Sequence, residues 1–77
     1  MDIRHVFARN LRRLRHEKGF SQEELAYAAE VNRSYMSKLE RGASYPGLEI
    51  ICKLADVLEV EPAELLQRSR ASRKRDK

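Results

Sequence analysis

Between positions 33 and 41 the chain carries two Arg, one Lys, two Ser and one Tyr, and their spacing decides what they can do. On a helix that turns about 100° per residue, Met36, Leu39, Glu40 and the preceding Asn32 stay near one direction. Ser34, Ser37, Lys38 and Arg41 then point the opposite way, with Arg33 and Tyr35 flanking them. Such a face is made of hydrogen-bond donors and positive charge. The major groove of duplex DNA admits one helix, presents acceptors on guanine, and is rimmed by phosphates, so the face fits it chemically. Taken alone, the same face also fits a solvated helix surface.

Other chemistries lack their residues. One Cys cannot form an internal disulfide, and two His eleven positions apart supply no zinc ligand set, so neither a metal nor a cofactor is expected. Cys52 reads as a small packing residue, and His5 and His16 as surface residues. Paired carboxylates, an activated Ser or Cys and a phosphate-cradling Gly loop are all missing, which argues against an enzyme.

The elements that must hold this face are helical. Ile3, Phe7, Leu11 and Leu14 form a stripe on helix one, with Arg9, Arg12 and Arg13 opposite, Asp2 as N-cap and Gly19 as terminator. Ser21-Gln-Glu-Glu24 is a capping box that opens a second helix from about 22 to 29. Asn32 caps a third helix that turns Met36 and Leu39 inward and stops at Gly42. Residues 43 to 47 have loop composition, and helix four follows from about 48 to 58 with Leu48, Ile51, Ala55 and Leu58 on one face. Pro62 suits the first position of a short helix five carrying Leu65 and Leu66. No segment reads as a strand, and Phe7 and Phe20 are assigned to the core.

The chain has 77 residues and a net charge of +4, room for one small domain. The charge is polarised. Residues 1–41 hold nine basic and six acidic side chains, residues 42–67 only Lys53 against five acids, and residues 68–77 six basic residues against Asp76. A basic front and tail suit a polyanion, with the acidic segment facing away. We therefore expect a domain over 1–67 and a basic, disordered tail over 68–77, whose arginines either reach DNA or merely solubilise the end. Without an apolar span or signal-peptide pattern the expectation is a soluble, intracellular protein with no membrane partner.

Ser-Gln-Glu-Glu-Leu-Ala at 21–26, Asn-Arg-Ser-Tyr-Met-Ser-Lys-Leu-Glu-Arg-Gly at 32–42, Pro-Gly-Leu-Glu-Ile-Ile at 46–51 and Leu-Ala-Asp-Val-Leu at 54–58 resemble the Cro and lambda-repressor-like (XRE-type) helix-turn-helix family. The resemblance covers roughly residues 7 to 67. It implies an all-α, compact five-helix domain, with the helix-turn-helix formed by helices two and three, that binds operators as a symmetric dimer and regulates transcription from the bacterial cytoplasm. Carried over by position, it implies base reading by Arg33, Ser34, Tyr35 and Lys38, with Arg33 suited to guanine N7 and O6. It also implies phosphate contacts by Gln22 and Arg41. Arg41 equally suits a cation favoured at a helix C-terminus. Ser37, on the same outer face, joins the phosphate set, and Tyr45 either touches a phosphate from the loop or covers the core edge. Arg15 and Glu40 coincide with a family ion pair, and their wheel positions independently predict a bridge between helices one and three. Glu30 and Glu59 stand where the family commonly has Gly, so the two turns either adapt or hold a strained left-handed residue.

On this reading the partner is double-stranded DNA, bound by a homodimer whose protomers read half-sites about 34 Å apart. Ile50 and Val57, with Leu65 or Leu66, are candidates for the dimer contact. With no residues left for an effector domain, no small-molecule ligand is expected, and control follows protein concentration, as in a phage repressor or a restriction-modification controller. The alternative is an antitoxin or adaptor that binds another protein through helices four and five.

Overall fold

In the computed structural model, which describes residues 2–68, Asp2 opens the first helix, α1 (Ile3–Glu17), by accepting the Arg4 amide on its side chain. Both halves of the Ser21 capping box form, and α2 (Gln22–Ala28) starts there. Asn32 accepts the amides of Ser34 and Tyr35 and so starts α3 (Arg33–Arg41). A loop leads to α4 (Leu48–Leu58), and the chain closes with a 3₁₀ segment, Pro62–Leu66, where an α-helical fifth element was expected. The architecture is thus four α-helices and one 3₁₀ turn, with no strand among the described residues. Beyond Arg68 the expected basic tail lies outside the described residues.

All four helices stop in the same way. The amides of Phe20, Val31, Ala43 and Val60 reach back to the carbonyls of Arg15, Ala26, Lys38 and Ala55, at 2.8 to 3.1 Å. Each stop carries one left-handed residue: Gly19, Glu30, Gly42 and Glu59. The two glutamates therefore do not flatten their turns; they adopt φ of 60° and 61° and hold strain of about 1 to 2 kcal/mol each. Gly42 is needed twice over, because a Cβ there would also lie 2.7 Å from the His5 ring.

The core joins Phe7, Leu11 and Leu14 of α1 to Leu25 and Ala26 of α2, Met36 and Leu39 of α3, and Ile51, Leu54, Ala55 and Leu58 of α4. Leu65 seals it from the 3₁₀ segment. Several expectations are corrected here. Leu48 is 81% exposed and Leu54 takes its place inside, because a residue at the start of a helix has no preceding turn over which to fold inward. Ile3 is exposed, whereas Val6 and Ala8 are buried, so α1 is covered over a broader face than its stripe. Arg9 lies only partly in solvent, its Nη2 sealed off without a hydrogen-bond partner among the described residues, rather than on an open face. Phe20 packs at the core edge, and Cys52 is exposed rather than packed. Leu65 is fully buried and is no longer available to a dimer contact, while Leu66 remains exposed. Ile50 and Val57 are half-buried against the core.

Asn10 was not anticipated. It is buried on α1 and gives its two amide hydrogens to the carbonyls of Leu65 (3.0 Å) and Gln67 (2.8 Å). That pins the end of the 3₁₀ segment to the first helix and satisfies carbonyls that a short 3₁₀ turn leaves open.

Candidate nucleic-acid interface

Glu40 is the pivot of the surface. Its side chain is 4% exposed and Arg15 is 12% exposed. The guanidinium meets the carboxylate with two bonds, Nε to Oε2 at 2.6 Å and a terminal nitrogen to Oε1 at 3.0 Å. Arg15 also donates to the Phe20 carbonyl, and Arg12 donates to the Glu40 carbonyl. Arg12 is exposed, as its place opposite the apolar stripe predicts, and yet it reaches the C-terminal end of α3, where it meets a carbonyl that the helix leaves open. Two α1 arginines therefore grip one residue of α3 and fix the tilt of that helix.

The grip continues outward. Gln22 donates its amide to Glu40 Oε1 at 3.1 Å, and its carbonyl accepts from Arg33 Nε at 3.5 Å. A carboxylate can only accept, so Glu40 fixes the donor end of the Gln22 amide inward and turns its oxygen toward Arg33. One hydrogen of the amide remains for another acceptor. Arg33 also stands 4.0 Å from Glu23.

The side chains expected to face DNA divide into three sets. Ser34 and Lys38 are exposed on the outer side of α3, opposite buried Met36, Leu39 and Glu40, and Arg33 is exposed at its flank. Ser37 and Arg41 are joined, with the guanidinium donating to the hydroxyl at 2.8 Å one turn back. Tyr35 is half-buried, and its hydroxyl donates to the Tyr45 carbonyl at 3.2 Å. With that hydrogen engaged, the Tyr35 oxygen has only lone pairs left to offer.

Tyr45 is exposed in the α3–α4 loop, with the Arg4 guanidinium 4.7 Å from its ring centroid. Arg4 is itself held by Asp2 at 2.7 Å, which pulls the Asp2 carboxyl down to about 2, chiefly through that hydrogen bond, and raises Arg4. The start of α1 thus braces the loop that leaves α3. Nothing in the spacing of Arg4 and Tyr45 announces this contact. Among the described residues no group of His, Cys, Asp and Glu is placed to hold a metal, and no helix is long and apolar enough to cross a membrane.

Known proteins share this fold. A family profile described as a helix-turn-helix domain matches residues 6–71. The control protein C.BamHI of Bacillus amyloliquefaciens is 38% identical over 66 residues, covering 84% of this chain and 82% of that protein. The crystal structure of the restriction-modification controller protein C.AhdI from Aeromonas hydrophila is 45% identical, superposes with a TM-score of 0.78, and covers 80% of this chain and 94% of that one. The biofilm master regulator SinR, crystallised in complex with DNA, is 35% identical with a TM-score of 0.77, over 79% of this chain and 98% of that one. With most of its length matched in sequence and in fold, the chain belongs to the Cro and lambda-repressor-like helix-turn-helix family of DNA-binding transcription regulators.

Proposed function

We propose that the protein is a sequence-specific regulator that binds a palindromic operator as a homodimer and controls transcription through its own concentration, in the manner of a restriction-modification controller. The α2–turn–α3 unit is the helix-turn-helix, and α3 of each protomer enters the major groove. The observation that carries this reading is the division of α3. Its inner side is locked by Arg15 and Glu40, while Ser34 and Lys38 stand exposed on the outer side and Arg33 stands exposed at its flank with its terminal nitrogens free of hydrogen bonds among the described residues. A fixed tilt with free donors is what base reading requires. The likeness to C.AhdI and C.BamHI supports the controller role.

Arg33 takes a guanine, with Ser34 and Lys38 reading beside it. Tyr35 can add only an acceptor, which suits a cytosine or adenine amino group. The spare Gln22 amide hydrogen, the Ser37–Arg41 pair and Tyr45 face the phosphates. Leu66 and the open sides of Ile50 and Val57 form the protomer contact. A site read by one helix spans only a few base pairs, so two copies are needed to compete with the genome.

Selection of bound duplexes from a random pool, repeated at several salt concentrations, tests the reading. A palindromic consensus and affinity that falls steeply with salt are expected. Arg33→Ala should abolish discrimination at one position of each half-site. Equal weakening on every sequence would make Arg33 a phosphate contact and remove it from the reading set.

A further inference from the structure

The first turn of α2 holds two adjacent glutamates with different employment. Glu24 closes the capping box by accepting the Ser21 amide at 2.8 Å. Glu23 takes no part in the cap. Its carboxylate lies 4.0 Å from the Arg33 guanidinium, with both side chains largely in solvent at 78% and 60% exposure. Arg33 is thus flanked by two acceptors of different charge, since its Nε faces the Gln22 carbonyl and one terminal nitrogen faces Glu23.

We propose that Glu23 is a specificity-determining residue that acts through Arg33, by offsetting part of its charge while leaving its hydrogens free. The inference rests on Arg33 meeting DNA as described above. A guanidinium has five N–H groups, and here only the Nε hydrogen is bonded, to Gln22, while Glu23 stands 4.0 Å from a terminal nitrogen, beyond hydrogen-bond reach. The two terminal nitrogens can still give two hydrogens to guanine N7 and O6, which are neutral acceptors. A phosphate gains most of its attraction from net charge, and the Glu23 carboxylate nearby reduces that attraction by the amount of an exposed ion pair. Glu23 thereby weakens the contacts every duplex offers more than the contact only guanine offers, a repulsive element aimed at the wrong partner. Gln22, held by Glu40, keeps the guanidinium aligned while this occurs.

The test compares the full-length protein with Glu23→Gln and Glu23→Asp on the selected operator duplex and on a scrambled duplex of equal length, across a range of salt. Glu23→Gln should tighten binding to the scrambled duplex by about two- to five-fold, the size of an exposed ion pair. Operator binding should change less, so the ratio between the two falls, and Glu23→Asp should restore it. The effect should vanish in an Arg33→Ala background. A Glu23→Gln ratio equal to that of the parent, or an equal tightening on both duplexes, would overturn the proposal and leave Arg33 as a base reader. A parent protein that does not distinguish the two duplexes would overturn the DNA reading of α3 itself.

Discussion

Two arginine–glutamate pairs stand at opposite ends of one polar chain. Arg15 and Glu40 are buried and doubly bonded, whereas Arg33 and Glu23 are exposed and barely in reach, and Gln22 joins them. The chemistry is identical and the environments are not. Burial makes the first pair obligatory, since either partner alone would be a stranded charge, while water makes the second pair dispensable to folding and easily reopened. The fixed pair holds α3 against α1, and the loose pair contains Arg33, the residue proposed to read a base.

Removing one partner of each pair separates these roles most sharply. Glu40→Ala or Arg15→Ala should lose about 3 to 5 kcal/mol in urea unfolding, close to the whole stability of a domain this small. Glu40→Gln, which keeps the shape, serves where the alanine variant does not fold. Glu23→Ala and Arg33→Ala should stay within about 0.5 kcal/mol of the parent. A double-mutant cycle should give strong coupling for 15 with 40 and under about 1 kcal/mol for 33 with 23. Equal coupling in the two cycles would erase the distinction.

A buried polar group without charge shows whether burial or charge sets the loss. Asn10 gives both amide hydrogens to carbonyls near the chain's end. Asn10→Ala should destabilise by about 1 to 3 kcal/mol, between the two ion pairs. Asn10→Asp should do worse, because an acceptor would then face two acceptors. Thermal melts of the three proteins order these effects.

Legibility in the sequence followed the range of the interaction. The caps at Asp2, Ser21 and Asn32 and the stop at Gly42 depend on residues a few positions apart, so spacing alone located them. The Arg15–Glu40 bridge was legible because both residues sit beside the apolar stripe of a helix already assigned. Leu65 and Leu66 are neighbours that any tight turn sends to different sides, and only packing against the core decides that Leu65 goes inward and Leu66 stays out. Asn10, with partners 55 and 57 positions away, and Arg4 over Tyr45 arise only from tertiary packing. On the candidate face the free donors were readable from the helix wheel. The Tyr35 hydroxyl, spent on the loop, and the Glu23–Arg33 approach were not.

Helix ends extend the contrast between fixed and yielding positions. Glu59 holds a left-handed conformation in solvent, and its side chain makes no hydrogen bond or ion pair among the described residues. Glu59→Gly should stabilise the fold by about 1 kcal/mol, the relieved strain less the added freedom of the unfolded chain. Gly42→Ala meets both the left-handed penalty and the His5 ring at 2.7 Å, so it should destabilise by more than Glu59→Gly stabilises. Denaturant midpoints of the two variants give the signs directly.

Asp2 and Arg4 form a third pair, with side chains 32% and 33% exposed, between the other two in burial. Its signature is pH. The Arg4 hydrogen bonds hold the folded carboxyl at about 2, below its ordinary 3.8. Folding therefore favours the ionised form, so the contribution is complete above the ordinary value and disappears as pH falls from there toward 2. An NMR titration of the Asp2 carboxyl should show that depressed midpoint, and salt should move it back upward, as screening demands of a pair open to water. Since Arg4 also covers Tyr45, the loop after α3 should loosen in step with the titration of Asp2. An Asp2→Asn variant that frees the buried Arg15–Glu40 pair as well as the loop would mean that the tilt of α3 depends on the brace at Tyr45 as much as on that pair.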